Sequence, residues 1–72
     1  MRNEFTAIIE AGDDGWWVAT CPEVPPAVGQ GRTPDEARED LEAAIQFVLE
    51  YLRDEAHAKA SPGALKQVLS LG

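Results

Sequence analysis

The stretch that decides the fold is residues 31–53, GRTPDEAREDLEAAIQFVLEYLR, because it predicts both the start and the buried face of a long helix. Thr33 suits the N-cap, and Pro34 suits the first helical position, where a missing amide donor costs nothing. Asp35 lies at the positive end of the helix dipole, and Glu36 completes a capping box with Thr33. We therefore predict that a helix begins at Pro34.

Apolar side chains recur through this stretch at helical spacing, and charged side chains fall largely between them. Such an amphipathic helix is typical of one that covers a sheet. Pro62 and Gly63 later interrupt the pattern, so we predict a helix over about 34–56. The apolar stripe consists of Ala37, Leu41, Ala44, Ile45, Val48, Leu49 and Leu52.

The chain before the helix predicts three strands. Residues 3–11, NEFTAIIEA, place Phe5, Ala7 and Ile9 at a period of two, as a half-buried strand does, although Ile8 breaks the alternation. The turn GDDG and the run WWVATC at 16–21 then predict a β-hairpin. The prolines of PEVPP exclude that segment from a sheet, and a short third strand at 27–30 follows it.

The hairpin turn determines how the two tryptophans are placed. It can centre on Asp13-Asp14 or on Asp14-Gly15, and the choice shifts the register of the hairpin. Adjacent strand residues point to opposite faces, so we expect one of Trp16 and Trp17 in the core and the other on the opposite face.

The C-terminal segment ALKQVLSLG follows neither a helical nor a strand period clearly, so a fourth strand and a frayed helix both fit. We favour a strand at 67–71, because the apolar tail is otherwise uncovered. The predicted fold class is α+β, a single domain over 1–72. Its predicted architecture is two-layer β-β-β-α-β, with a three- to four-stranded, mainly antiparallel sheet covered by one long helix.

Charge narrows the classes of partner. Thirteen acidic and six basic residues give a net charge of −7, which opposes binding to a phosphate backbone and favours encounter with a basic protein. No apolar run is long enough to span a membrane. A lone Cys21 and a lone His57 supply too few ligands for a zinc site, and unpaired cysteine usage fits the cytoplasm.

Four segments in a specific order carry a resemblance to a known family: an N-terminal strand, an acidic-Gly turn with aromatics, a Pro-acidic-apolar-Pro link, and a Gly-x-Thr helix start. Together they resemble the N-terminal domain of HicB-like antitoxins, over roughly residues 5–52. The link departs from the family pattern, because Pro26 and Ala27 stand where the family usually has Gly and often Cys. The segments are Phe5 to Glu10, DDGWW at 13–17, PEVP at 22–25 and GQGRTPDEA at 29–37.

The resemblance implies a partial ribonuclease-H-like fold in a short family member without a DNA-binding tail. It implies a partner as well, a small basic HicA-like toxin that cleaves mRNA and is neutralised by occlusion. A free-standing homo-oligomer of regulatory or structural role is the alternative, and a residual metal-dependent nuclease is a minor one. We expect homo-oligomers, and no direct binding of nucleic acid or membrane by this chain.

No pattern in the sequence predicts an enzyme, a cofactor or a metal site. Asp13 and Asp14 are explained by turn chemistry, and His57 by the negative end of the helix dipole. Aromatic anchors dominate protein interfaces, although a Trp buried in a small core is equally ordinary. The residues predicted to bind a partner are Trp16, Trp17, Glu23 and Val24.

Overall fold

Three short strands and one long helix form the protein in the computed structural model, which describes residues 4–70. The elements are β1 (Ile8–Ala11), β2 (Trp17–Thr20), β3 (Val28–Gly31) and α1 (Pro34–Lys59). The strands form one antiparallel sheet in the order β1-β2-β3. The predicted α+β class, with a sheet under a single helix, is confirmed in its three-stranded form, β-β-β-α.

The hairpin between β1 and β2 has a three-residue loop, Asp13, Asp14 and Gly15. Gly15 takes a φ of 84°, the left-handed conformation that glycine adopts without strain and that closes this class of hairpin loop. Asp14 Oδ1 accepts a hydrogen bond from the Trp16 amide at 3.2 Å. This loop sets the register that pairs Ala11 with Trp17.

The register places small residues on the face of the sheet that meets the helix. Ala19 pairs with Ile9 on one side and with Gly29 on the other, and Ala19 and Gly29 are buried. A Cβ built on Gly29 would lie 2.6 Å from the Ala37 carbonyl oxygen and would also meet the Leu41 amide. The helix backbone therefore approaches β3 as closely as only a glycine allows.

The helix begins as predicted. The Glu36 amide donates to Thr33 Oγ1 at 3.1 Å, and Pro34 occupies the first turn. The Glu36 carboxylate accepts from the Arg32 amide at 3.0 Å, one residue before the N-cap, and not from the Thr33 amide of the standard capping box. Thr33 therefore satisfies an amide of the first helical turn that the helix itself leaves without a partner, and Glu36 satisfies an amide just before the helix.

The core is small and lies between the sheet and the first half of the helix. Ile9, Trp17, Ala44 and Val48 pack against it while keeping part of their surface exposed. The predicted stripe thus covers the sheet only as far as Val48. The buried residues are Ala19, Cys21, Val24, Ala27, Ala37, Leu41 and Ile45.

Several predicted boundaries are wrong. The first strand begins at Ile8 and not near residue 3, which lies outside the described residues. Ile8 pairs with Thr20, the last residue of β2, and before it the Thr6 amide donates to the Glu23 carboxylate and not to a strand carbonyl. The helix runs to Lys59, since Ala and Lys are good helix formers and Pro62 is the first residue that cannot continue it. The second and third strands differ from the predictions by one residue at each end.

The favoured fourth strand at 67–71 is also wrong for its described part. Residues 67–70 have no regular secondary structure, and residue 71 lies outside the described residues. The reason is geometric: at 1.5 Å per residue, the helix carries the chain about 21 Å beyond Ile45 before the tail starts. The tail therefore starts far from either edge of the sheet.

Candidate protein-binding surface

The four residues predicted to bind a partner lie at opposite ends of β2. Trp16 and Trp17 stand at its start, and Glu23 and Val24 follow its end. A strand rises about 3.3 Å per residue, so more than 10 Å separates the two pairs. They do not form one contiguous surface.

Trp16 and Trp17 divide as strand geometry requires, because neighbouring side chains point to opposite faces. Trp17 packs against the core, whereas Trp16 packs with Arg32, whose guanidinium carbon lies 4.2 Å from the centre of the indole ring. Both side chains are half-buried. A cation over an aromatic face is attracted by the ring quadrupole, so Arg32 holds Trp16 against the end of the sheet.

Glu23 ties the proline-rich link to the N-terminal segment. Its two carboxylate oxygens accept from the Thr6 amide and the Thr6 hydroxyl, each at 2.8 Å. The Cys21 thiol donates to the same carboxylate at 3.3 Å. These hydrogen bonds, the Thr6 amide first, lower the pKa of Glu23 from 4.5 to about 2. Glu23 therefore stabilises the fold, in addition to any role that it has in binding.

Changing Glu23 to Gln is expected to reduce the loss of unfolding free energy that the protein shows as the pH falls below 4.5. Between about pH 4.5 and pH 2 the unfolded chain binds the proton that folded Glu23 does not, so this contribution is present above pH 4.5 and disappears as the pH falls toward 2. Glutamine keeps an acceptor for Thr6 but does not titrate. Urea unfolding of both proteins at several pH values measures the difference.

The gap in unfolding free energy between wild type and Glu23→Gln should be constant above pH 5 and close as the pH falls. Glu10→Gln is a suitable control, because it removes an exposed carboxylate from β1 and leaves the hydrogen bonds between Glu23 and Thr6 intact. Parallel curves for wild type and Glu23→Gln over the whole range would contradict the expectation.

Val24 does not lie at the surface. Only 5% of it is exposed, and its backbone makes the turn contacts of the link: its amide donates to Cys21 and its carbonyl accepts from Ala27. A buried valine stabilises the fold and cannot contact a partner unless the link opens.

A group of side chains not predicted from the sequence forms an acidic and aromatic surface on the outer side of α1. Phe47 is 73% exposed, and Tyr51, one turn later, is also exposed. Glu50, Asp54 and Glu55 complete a shallow hollow with them, which we call the Phe47 patch. The signal was present in the sequence as two aromatics four residues apart between carboxylates, a spacing that places them on one helix face.

The face of the sheet opposite the helix is a second open surface. Ile8, Thr20 and Val28 form one row across the three strands, and Val28 and Ile8 are exposed. No other layer of the described residues covers this row. The row itself carries no charged side chain, so it gives less indication of the chemistry of a partner than the Phe47 patch does.

Side chains of catalytic or metal-binding type are scattered. Within residues 4–70, no three His, Cys, Asp or Glu side chains group closely enough to hold a metal ion. Cys21 is buried, and His57 lies in the last turn of α1. In the same part of the chain no helix is long and apolar enough to cross a membrane.

The fold and these surfaces define a small acidic α+β domain, one three-stranded antiparallel sheet packed under a single long helix. The chain is 54% identical over 50 residues to UPF0150 protein ssl0738 of Synechocystis sp., and the match covers 69% of each chain. It therefore belongs to the UPF0150 family. No family model and no solved structure matches it.

Proposed function

We propose that this chain is a protein-binding module of the HicB antitoxin type, which neutralises a small basic HicA-like toxin by covering its RNA-binding or catalytic face. The single observation that carries the proposal is the Phe47 patch, two exposed aromatics among carboxylates in a chain of net charge −7. The family resemblance at the sequence level supports the same partner. Because that toxin cleaves mRNA, the proposal places both proteins in the cytoplasm.

The chemistry of the patch suits a basic partner. Carboxylates at Glu50 and Asp54 attract lysine and arginine side chains, and complementary potentials accelerate encounter. Phe47 and Tyr51 offer ring faces on which an arginine can stack, and large aromatic anchors supply most of the affinity in typical interfaces. An acidic surface of this kind competes with RNA phosphates for the same basic residues.

The patch is also preordered by the helix. Phe47, Tyr51 and Asp54 follow one another at helical spacings of four and three residues, so they share one face of α1. Ile45 and Val48 anchor the helix to the sheet beside Phe47, and Tyr51 and Asp54 lie on the part of the helix that extends beyond the sheet. Little ordering of the backbone is then needed when a partner binds, and this preserves affinity.

The test needs a small basic protein encoded beside this chain, with its binding measured by calorimetry and the inhibition of its RNA cleavage measured in parallel. Replacing Phe47 and Tyr51 together with Ser is expected to weaken binding by 30-fold or more, because the loss of an aromatic hot spot costs about 2 kcal/mol. RNA cleavage should then escape inhibition. Higher ionic strength should slow association of the wild type.

Val28→Ser is the matched control, since it removes an exposed apolar side chain from the open sheet face and leaves the Phe47 patch intact. It should bind and inhibit as the wild type does. The proposal fails if no small basic protein is encoded beside the chain and the chain inhibits no ribonuclease. If Val28→Ser abolishes binding and the Phe47 and Tyr51 changes do not, the partner surface is the sheet.

A further inference from the structure

The second half of α1 leaves the sheet behind. Ile45 is the last buried residue, Val48 is half-buried, and the helix from Leu49 to Lys59 extends about 16 Å further. Leu52 continues the line of Ile45 and Val48 on the core-facing side, yet it is 56% exposed. The apolar stripe is therefore longer than the sheet it covers.

The tail that follows is apolar as well. A turn joins the Ala64 amide to the Ser61 carbonyl at 3.0 Å, and the chain then continues without regular structure. Leu65, Val68 and Leu69 are 88%, 95% and 80% exposed. Leucines rarely remain so open in a stable monomer unless another surface covers them.

The exposed area is larger than a compact monomer of this size would have. The chain exposes 5884 Å², whereas a folded monomer of its mass exposes about 4,400 Å². Its radius of gyration is 15.5 Å, against about 11 Å for a compact domain of this length. The excess, about 1,500 Å², exceeds the roughly 800 Å² that each partner buries in a stable complex.

Charge is divided along the chain in a way that suits self-association. All thirteen acidic residues and four of the six basic ones lie in 1–55, a net charge of −9. Residues 56–72 contain Lys59 and Lys66 and no acidic residue, a net charge of +2. Lys59 belongs to α1 and pairs with Glu55 at 3.2 Å, so the tail itself contributes the single positive charge of Lys66. The apolar, singly charged tail of one copy is thus complementary to the acidic body of another, although two whole copies repel.

A groove on the body offers a place for such a tail. It has a volume of about 380 Å³ and lies between the N-terminal segment and α1. Phe5 and Ala7 line one side, and Leu41, Ile45 and Leu49 the other, with Glu42 and Arg38 among the polar residues. We propose that two copies of this chain form a dimer in which the apolar side chains of the tail 64–70 of each copy pack in the groove of the other, with Lys66 beside Glu42.

Sedimentation equilibrium of the full chain tests the dimer. The expected mass is twice 7.8 kDa at micromolar concentration. Leu65→Ser combined with Leu69→Ser should weaken the dimer tenfold or more, and so should Phe5→Ser in the groove. The two tail residues are almost fully exposed, so circular dichroism should show an unchanged fold.

Val28→Ser is the control and should leave the dimer constant unchanged. A wild-type monomer overturns the proposal, including the case in which the tail folds back on its own helix. A dimer that resists the tail changes but dissociates with Val28→Ser overturns it too, and assigns the interface to the open sheet face. If the tail substitutions weaken the dimer and Phe5→Ser does not, the tail does not pack in the groove, and that part of the proposal is overturned. None of these results depends on toxin binding, which the Phe47 patch variants test separately.

Discussion

Gly29→Ala is expected to remove a large part of the folding stability. The added Cβ would lie 2.6 Å from the Ala37 carbonyl oxygen and against the Leu41 amide, so it meets helix backbone and no flexible side chain. Overpacking costs about 1–3 kcal/mol and more where nothing can yield, so we expect about 3 kcal/mol or more. A chain of 72 residues has only about 4–11 kcal/mol in total. The loss of unfolded-state entropy favours alanine by less than about 1 kcal/mol and cannot compensate.

Urea unfolding at one fixed protein concentration measures this loss, since self-association would otherwise contribute. Gly63→Ala is the matched control: no atom lies within 4 Å of a Cβ built there, so its midpoint should equal or slightly exceed that of the wild type. If Gly29→Ala unfolds at the wild-type midpoint, the helix does not pack on β3 as closely as described.

Leu41→Ala should have the next largest effect on stability. Leu41 is 1% exposed and is the largest fully buried side chain, in a core otherwise made mostly of alanines and other small residues. Truncating a buried leucine costs about 2–5 kcal/mol, the lost transfer energy plus the cavity that remains. We expect about 3 kcal/mol, because the glycines of β3 have no side chains that could move into the space.

Phe47→Ala provides the comparison on the same helix. It removes a larger side chain, but one that is 73% exposed, so its unfolding free energy should change by about 0.5 kcal/mol or less. Thermal and urea unfolding of the two variants should therefore differ clearly. Equal losses for Leu41→Ala and Phe47→Ala would contradict the placement of the core on the Leu41 side of the helix.

The start of the helix was predictable because its causes are local. Thr33, Pro34 and Glu36 lie within four residues of one another, and their capping interactions need no distant partner. The hairpin was predictable for the same reason, from a turn rich in Asp and Gly. Only the donor to the Glu36 carboxylate differed from expectation, because it is the Arg32 amide and not the Thr33 amide.

The ends of the apolar segments were not predictable, because they depend on what lies opposite them. Phe5 has strand periodicity but lines the groove, and Leu52 has core periodicity but lies beyond the sheet. A strand was favoured at the C-terminal segment because its apolar residues needed cover, yet the length of α1 carries residues 67–70 away from both sheet edges. Periodicity shows which side of an element is apolar, and it does not show whether another element reaches it.

The candidate surface also combines residues that could be predicted from the sequence with contacts that depend on the fold. Glu23 was singled out from the sequence, but its bonds to Thr6, seventeen residues away, depend on the fold. Val24 belongs to the core because the link turns inward at Cys21 and Ala27. The Phe47 patch required knowledge of which side of the helix remains open, since aromatic spacing alone fits burial equally well.

For this protein, the sequence by itself determined the fold class, the helix start, the hairpin and the acidic character, because propensity, capping and charge act over a few residues or over the chain as a whole. The tertiary structure alone decided how far the sheet extends under the apolar stripe of residues 37–52. It also decided which aromatic side chains face solvent and that the tail lies beyond the sheet. Those outcomes depend on contacts between residues distant in sequence, and above all on the glycines of β3 that let the helix approach the sheet.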